Sequence, residues 1–208
     1  MTTPIGPVTT VPKSRAFSLM ELLVVIAIMA ILAAVTMPAI NQVLQSTKLS
    51  TAGRSIVDNL NLARQTALSK NLPVEVRFYK LPAFTSPSSA APTTYRAMQS
   101  FLLNDTNAVP LTKPIFCPEP IVFSDNTSYS SLFSNSASKE TAADSYSIPG
   151  YGRNYAYRSF LIKPGGATTL ASDAFVTLTR ENTSPAQGGN FVTIQIDSLT
   201  GRTRTFQP

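Results

Sequence analysis

Residues 17–37 read Phe17-Ser18-Leu19-Met20-Glu21-Leu22-Leu23-Val24-Val25-Ile26-Ala27-Ile28-Met29-Ala30-Ile31-Leu32-Ala33-Ala34-Val35-Thr36-Met37. From Phe17 to Thr47 the only charged side chain is Glu21. A helix needs roughly 20 apolar residues to cross the hydrocarbon core of a bilayer, a length that Phe17 to Met37 meets. The stretch therefore predicts a transmembrane helix over 17–37. Ahead of it, residues 1–16 are polar, hold Pro4, Pro7 and Pro12, and end in Lys13-Ser14-Arg15-Ala16. Lys13 and Arg15 place the N-terminus in the cytoplasm by the positive-inside bias, so the rest of the chain is expected outside. An ordinary secretory signal fits less well. Its apolar core is usually about 7–15 residues and ends in a small-residue A-x-A site, and no such site occurs between Phe17 and Ile40.

Glu21 is the informative residue. An acid at the centre of a spanning helix costs roughly 2.5–3.5 kcal/mol. One turn inside the segment, snorkelling lowers that cost without removing it. A cation in the same apolar layer would recover it. Cleavage between Ala16 and Phe17 creates such a cation, the new amino group of Phe17. It lies one helical turn from Glu21, within reach of the carboxylate of its own copy or of a neighbour. A simple single-pass anchor for an extracytoplasmic domain accounts for the segment otherwise, but leaves Glu21 unexplained.

The run Lys13-Ser14-Arg15-Ala16 followed by Phe17-Ser18-Leu19-Met20-Glu21-Leu22 resembles the prepilin leader and cleavage site of type IV pilins and type II secretion pseudopilins. The resemblance implies that a membrane prepilin peptidase cuts before Phe17 and methylates its new amine. It implies that Glu21 serves in assembly with Phe17, and that Pro38 stands at the family's helix-breaking position, where a kink is expected. It also implies other pilin or pseudopilin subunits and inner-membrane assembly machinery as partners. The site would be the bacterial inner membrane, with the C-terminal domain in the periplasm or exterior and the subunit in a filament after assembly. Two residues depart from the family pattern. Ala16 stands where Gly usually precedes the cut, and Ala30 replaces a Gly often found in the anchor.

Beyond Pro38 the pattern becomes one-sided. Leu49, Ala52, Ile56, Leu60, Ala63 and Ala67 recur at three- and four-residue steps, with Val57 and Leu68 beside them. Lys48, Arg54, Asp58, Asn61, Arg64 and Gln65 fall between. This predicts an amphipathic continuation of the helix over 38–72. Leu72-Pro73 should end it, because a residue before proline avoids the helical region. The whole helix would extend roughly 80 Å at 1.5 Å per residue.

Residues 73–208 read as a β-rich globular domain. Val74, Val76 and Phe78 alternate with Glu75, Arg77 and Tyr79, the pattern of a half-buried strand. Tyr95–Leu103 reads as a second strand and Tyr155–Ile162, Phe175–Arg180 and Phe191–Asp197 as three further strands, while Ile121-Val122-Phe123 is short and apolar. Leu81–Pro92 reads as a loop, and the Ser/Thr/Asn-rich run Ser124–Asp144 as a surface insertion with little regular structure. Pro164-Gly165-Gly166 and Gly188-Gly189 mark turns. One long helix followed by antiparallel strands predicts an α+β fold with the sheet on the apolar stripe of the helix. Within the pilin resemblance, Ala63-Arg64, Phe160 ahead of Gly165, and Thr200-Gly201-Arg202 are similar to H-type minor pseudopilins and FimT-like pilins. Residues 1–60 are also similar to the Verru_Chthon cassette group.

Composition narrows the chemistry. The 208 residues contain no histidine and one cysteine, Cys117, so the commonest general base and metal ligand are missing and no intramolecular disulfide forms. No nucleophile elbow, phosphate-binding glycine loop or Cys/His cluster occurs. Neither an enzyme nor a cofactor or metal is expected. Asp125, Asp144, Asp173 and Asp197 fall at loops or strand ends, where turn chemistry accounts for them. The formal charge is +6, which favours acidic partners. Gly201-Arg202-Thr203-Arg204 resembles the Gly-Arg-x-Arg pattern that FimT-like minor pilins use to hold DNA. On a strand, Arg202 and Arg204 point to one face and could meet successive phosphates. The competing reading is two solubilising charges on an edge strand.

Overall fold

The computed structural model describes residues 17–83, 91–104, 107–135, 138, 140–183, 185 and 189–208, and the side chains of residues 35–42 lie outside that description. Helix α1 runs from Leu19 to Lys70. Its path includes Pro38, whose expected kink falls among residues 35–42. The expected loop over Leu81–Pro92 likewise lies largely outside the described residues. The chain divides into two units, Met1–Val43 and Leu44–Pro208. Asn71, at φ 52°, takes the left-handed conformation that closes a helix, and Pro73 follows it.

Among the described residues ten strands follow: β1 Val74–Leu81, β2 Thr94–Asn104, β3 Asn107–Pro110, β4 Ile115–Phe116, β5 Ile121–Phe123, β6 Glu140–Ala142, β7 Ala156–Ile162, β8 Ala174–Arg180, β9 Val192–Ile196 and β10 Thr203–Phe206. They form one sheet in the order β10-β9-β8-β5-β2-β1-β7-β6, with β3 and β4 also on β2, and every pairing is antiparallel.

The helix stripe read from the sequence is the stripe the fold buries. Leu49, Ala52, Ile56, Leu60, Ala63 and Ala67 are all at most 5% exposed. They share one core with Val74, Val76 and Phe78 of β1, Met98 of β2, Phe160 of β7, Val176 and Leu178 of β8, and Val192 and Ile194 of β9. Phe78 is its aromatic centre, edge-on to Phe123 at 5.2 Å and to Phe133 at 5.8 Å. Small residues let the helix approach closely. A Cβ on Gly53 would come within 2.9 Å of Val192 Cγ1.

Asn59 interrupts this stripe and is also buried. Its Oδ1 accepts from Ser100 Oγ at 2.6 Å, and its Nδ2 donates to Thr112 Oγ1 at 3.0 Å. Gln99 Nε2 donates to the Thr112 carbonyl at 2.8 Å and to Tyr146 Oη at 3.0 Å, and Tyr79 Oη donates to Gln99 Oε1 at 2.9 Å. These bonds link the helix to the far side of the sheet. A buried polar network of this kind penalises any other register of helix on sheet.

Two expectations are corrected. The alternation in β1 predicts a solvent-facing side, but Arg77 is 5% exposed and Tyr79 is fully buried. Residues 143–157 cover that side. They build a second core of Tyr79, Leu81, Ala97, Phe101, Ile148, Tyr155 and Tyr157. Arg77 is buried with its charge because its guanidinium lies 4.2 Å from the Phe101 ring centroid and 4.6 Å from that of Tyr157. It pairs with Glu75 at 2.8 Å and Asp144 at 2.5 Å. The second correction concerns Ser124–Asp144, whose described residues are exposed only in part and include regular structure. Ser131–Phe133 forms a 3-10 turn, Glu140–Ala142 is β6, and Leu132 and Phe133 are buried in the first core. The serines do strand work there. Ser131 Oγ accepts from the Phe175 N–H at 3.0 Å and Ser130 Oγ from the Thr177 N–H at 3.1 Å, completing β8 where β5 is too short to reach.

Asp144 anchors the covering segment. It accepts from Tyr155 Oη at 2.7 Å and from the Tyr146 N–H at 2.8 Å, besides its pairing with Arg77. Burial pushes its carboxyl up, but those hydrogen bonds and the Arg77 charge outweigh it and hold the group below the usual carboxylate range. A depressed folded-state pKa contributes stability that is present above the unfolded value of about 3.9 and is lost as pH falls through the folded value. Denaturant unfolding of the Leu44–Pro208 unit should therefore show a loss of stability below about pH 4. Asp144→Asn should be less stable at pH 7 and show a shallower loss on acidification.

Candidate functional site

Ser18 lies just outside α1 and caps it. Its Oγ accepts from the Met20 N–H at 3.3 Å, and its carbonyl accepts from the Leu22 N–H at 3.2 Å. Glu21 is the acid of the first turn. Ser18-Leu19-Met20-Glu21 has the spacing of a capping box, in which an acid at the third helical position complements the helix N-terminus. That signal is legible in the sequence and supplies a second physical reason for Glu21 besides pairing with an amine. Ala16 lies outside the described residues. Phe17 is 76% exposed, and Glu21 is exposed as well.

Around Glu21 the helix is apolar on every side. Leu19, Met20, Leu22, Leu23, Val24, Val25, Ile26, Ile28, Met29, Ile31 and Leu32 are each between 44% and 81% exposed. A helix hydrophobic all round is normally buried in a protein core or a membrane. Here those side chains are bare in the isolated chain. Among the described residues no helix is long and apolar enough to cross a membrane. The fully described part of the apolar stretch ends at Ala34, short of the roughly 20 residues a span needs, whereas the sequence expectation runs to Met37.

A second cluster forms where the C-terminal turn meets the helix. Asp197 Oδ1 accepts from the N–H groups of Leu199 and Thr200 at 3.0 and 2.8 Å. The Thr200 backbone bond, then its hydroxyl, hold the Asp197 carboxyl below its ordinary range. Gly201, at φ 63°, continues the turn, and its N–H donates to the Asp197 carbonyl at 2.9 Å. Arg64 Nε reaches from the helix to the Thr200 carbonyl at 2.6 Å. A Cβ on Gly201 would collide with the carbonyl oxygen of Gly166, itself at φ 87°. Arg64, the Gly165-Gly166 turn and Thr200-Gly201-Arg202 are distant in sequence but meet in one place. Arg64 thereby ties α1 to the last hairpin, a role the sequence does not reveal.

Arg202 and Arg204 are exposed and line one cleft of about 310 Å³ beside β10. Asp173, Asp197, Gln195, Thr200 and Thr203 complete its lining. The two arginines thus share a surface with two carboxylates. Asp173 Oδ1 is engaged by the N–H and hydroxyl of Ser198 at 2.9 and 3.2 Å.

Cys117 is 3% exposed, and burial pushes its thiol up to about 12, with Arg96 opposing. At neutral pH it is a protonated, enclosed thiol rather than a nucleophile.

Residues 11–37 match the family described as the prokaryotic N-terminal methylation motif. No curated protein matches the chain. Among solved structures, the chain is similar to the minor pseudopilin EpsH from the type 2 secretion system of Vibrio cholerae. The identity is 9% and the TM-score 0.44, over 77% of this chain and 98% of that one. It is also similar to the type IV minor pilin FimU of Pseudomonas aeruginosa. There the identity is 12% and the TM-score 0.44, over 79% of this chain and 95% of that one. Likeness at this level carries no argument about function.

The C-terminal turn makes a direct prediction. Gly201→Ala places a side chain in the left-handed region and against a backbone oxygen. Left-handed strain alone costs about 1–3 kcal/mol. The Leu44–Pro208 unit should lose at least that much in denaturant unfolding, whereas Arg202→Ala should change stability little.

Proposed function

We propose that this chain, which carries the prokaryotic N-terminal methylation motif over residues 11–37, is a structural subunit of a type IV pilus or type II secretion pseudopilus. Residues 1–16 are the leader, cut between Ala16 and Phe17, and the new Phe17 amine is methylated by a prepilin peptidase. Before assembly the apolar half of α1 holds the subunit in the bacterial inner membrane, with the rest of the chain in the periplasm or exterior. In the filament the same half packs against other subunits, delivered by inner-membrane assembly machinery. The observation that carries this reading is the apolar surface of Phe17–Leu32, bare on all sides and interrupted by one acid in its first turn. Lipid and neighbouring helices are the two environments that cover such a surface.

Glu21 then pairs with a Phe17 amine in an apolar layer. Such pairs add little net stability but exclude wrong offsets, because an unpaired buried charge costs roughly 3–5 kcal/mol. N-terminal sequencing of the membrane-fraction protein should begin at a methylated Phe17. Glu21→Gln keeps a capping-box residue but removes the charge. It should leave leader cleavage intact and cut filament incorporation about tenfold or more, as Glu21→Val does. A mature chain that begins at Met1 refutes the reading, and normal incorporation of Glu21→Gln refutes the role of the charge.

A second reading rests on the cleft that Arg202 and Arg204 share. Two guanidiniums on one surface suit successive phosphates of DNA, while Asp173 and Asp197 on the same cleft oppose an anion. Salt-sensitive retardation of DNA by the Leu44–Pro208 unit, lost in Arg202→Ala/Arg204→Ala and strengthened in Asp173→Asn, is the expected outcome. Absence of retardation by the unaltered unit removes this reading.

A further inference from the structure

Against the paired ends of β5 and β8 lies a hollow of about 430 Å³. Its floor holds Val122 and Thr179, which are cross-strand partners and both buried. Side chains alternate along a strand, so Glu181 follows Thr179 on the same side. Each wall is held by its own hydrogen bonds. On one, the N–H groups of Tyr129 and Ser130 both donate to the Asn126 carbonyl at 2.9 Å, and the Ser128 N–H donates to Asn126 Oδ1 at 2.9 Å. On the other, Thr179 Oγ1 donates to the Thr183 carbonyl at 3.1 Å, around Asn182 at φ 62°. A hollow with fixed walls binds a ligand without first having to order itself.

A bulge in β2 supplies a group from below. Tyr79 faces Ala97 and Lys80 faces Tyr95, so Arg96 is the extra residue. Bulges re-aim side chains. Here Arg96 reaches Glu181, Nη1 donating to Oε2 at 3.1 Å and Nη2 to Oε1 at 2.5 Å. The Arg96 side chain is fully buried, whereas that of Glu181 is 31% exposed and borders the hollow. These bonds, against a smaller effect of burial, hold the Glu181 carboxyl below its ordinary range. A buried ion pair adds little net stability. What this one secures is a carboxylate in one orientation. Each of its oxygens can accept two hydrogen bonds, and Arg96 uses one on each.

The charges around the hollow cancel. Asp125 and Glu181 stand against Arg180 and the underlying Arg96. Arg180 is further engaged with Gln45 Oε1 at 3.4 Å. What remains is a set of acceptors on Glu181 and Asp125, the amide N–H groups of Asn126, and the half-buried ring of Tyr129. Acceptors and donors beside an aromatic face suit a ligand that carries hydroxyls on its edge and C–H groups on its faces. The volume lies in the range of small-molecule sites, roughly 300–1,000 Å³. We infer that the hollow binds an uncharged hexopyranose ring, its hydroxyls held by Glu181, Asp125 and Asn126 and one face laid on Tyr129. This goes beyond the filament role and does not depend on it.

The test is calorimetric titration of the full chain, in a zwitterionic detergent without a sugar headgroup. The probes are D-glucose, D-galactose, D-mannose and N-acetyl-D-glucosamine. At least one should bind saturably, with an affinity that is unchanged between about 0.05 and 0.5 M salt. D-glucuronate and D-glucosamine, which add a charge to the same ring, should bind no more tightly. Asp125→Ala removes an exposed acceptor and should weaken binding about tenfold. Glu181→Gln should weaken it by at least as much, with thermal unfolding followed in parallel. A linear trisaccharide of the bound sugar that outcompetes the single ring marks a polysaccharide as the source, and equal affinity marks a free sugar; either result supports the inference. Binding of none of the four neutral sugars overturns it, as does salt-sensitive binding confined to a charged analogue. Glu181→Gln that lowers the unfolding temperature but leaves binding unchanged also overturns it, because Arg96 and Glu181 then serve only to tie β2 to β8.

Discussion

One helix has to satisfy two surroundings, and the architecture follows from that constraint. From Phe17 to Leu32, Ser18 and Glu21 apart, its side chains are apolar in every direction and bare in the isolated chain. From Leu49 to Ala67 only one stripe is apolar, and the sheet covers it. The first part is hydrophobic all round, so no single sheet face could cover it. The second part could not enter lipid, because Lys48, Arg54, Asp58 and Asn61 occupy its outer face. The apolar residues of the first part are therefore left bare, while the second part forms the floor of the domain.

Within the domain, the sheet is enclosed on both faces by quite different means. The helix side is an ordinary apolar core with Phe78 at its centre. The other side is closed by residues 143–157, whose tyrosines surround a charged arginine. Burial alone would push Arg77 toward its neutral form, but the carboxylates of Glu75 and Asp144 outweigh it and hold the guanidinium charged. Desolvation correspondingly pushes Tyr79 up and keeps it a neutral phenol that donates to Gln99. The path Asn59–Thr112–Gln99–Tyr146 crosses from one side to the other, so the helix, the sheet and the cover share one register. Arg64 on the Thr200 carbonyl makes the corresponding tie at the last hairpin.

These ties bear on the proposed role. A filament subunit must present a fixed outer surface while its helix end exchanges one environment for another. A domain registered on its helix by buried polar bonds, and not by apolar contact alone, resists sliding along that helix. The polar groups that would be stranded by a shift of one residue supply the penalty.

The apolar run, the lone Glu21 and the one-sided stripe from Leu49 to Ala67 were legible in the sequence, because helix periodicity and hydrophobicity are properties of neighbouring residues. The main strands were legible for the same reason. The capping relation of Ser18 to Glu21 was also there to be read. Other features depended on residues far apart in the chain. Arg77 and Tyr79 looked solvent-facing by alternation, and only the fold-back of residues 143–157 buried them. The polar run around Ser130 and Ser131 looked like a surface loop until its hydroxyls were seen to complete β8. The meeting of Arg64, Gly166 and Gly201 and the cleft shared by Arg202 and Arg204 with two aspartates were likewise decided by tertiary structure. Periodicity reports which face of an element is apolar, but what comes to lie against the other face depends on contacts between segments that no local pattern encodes.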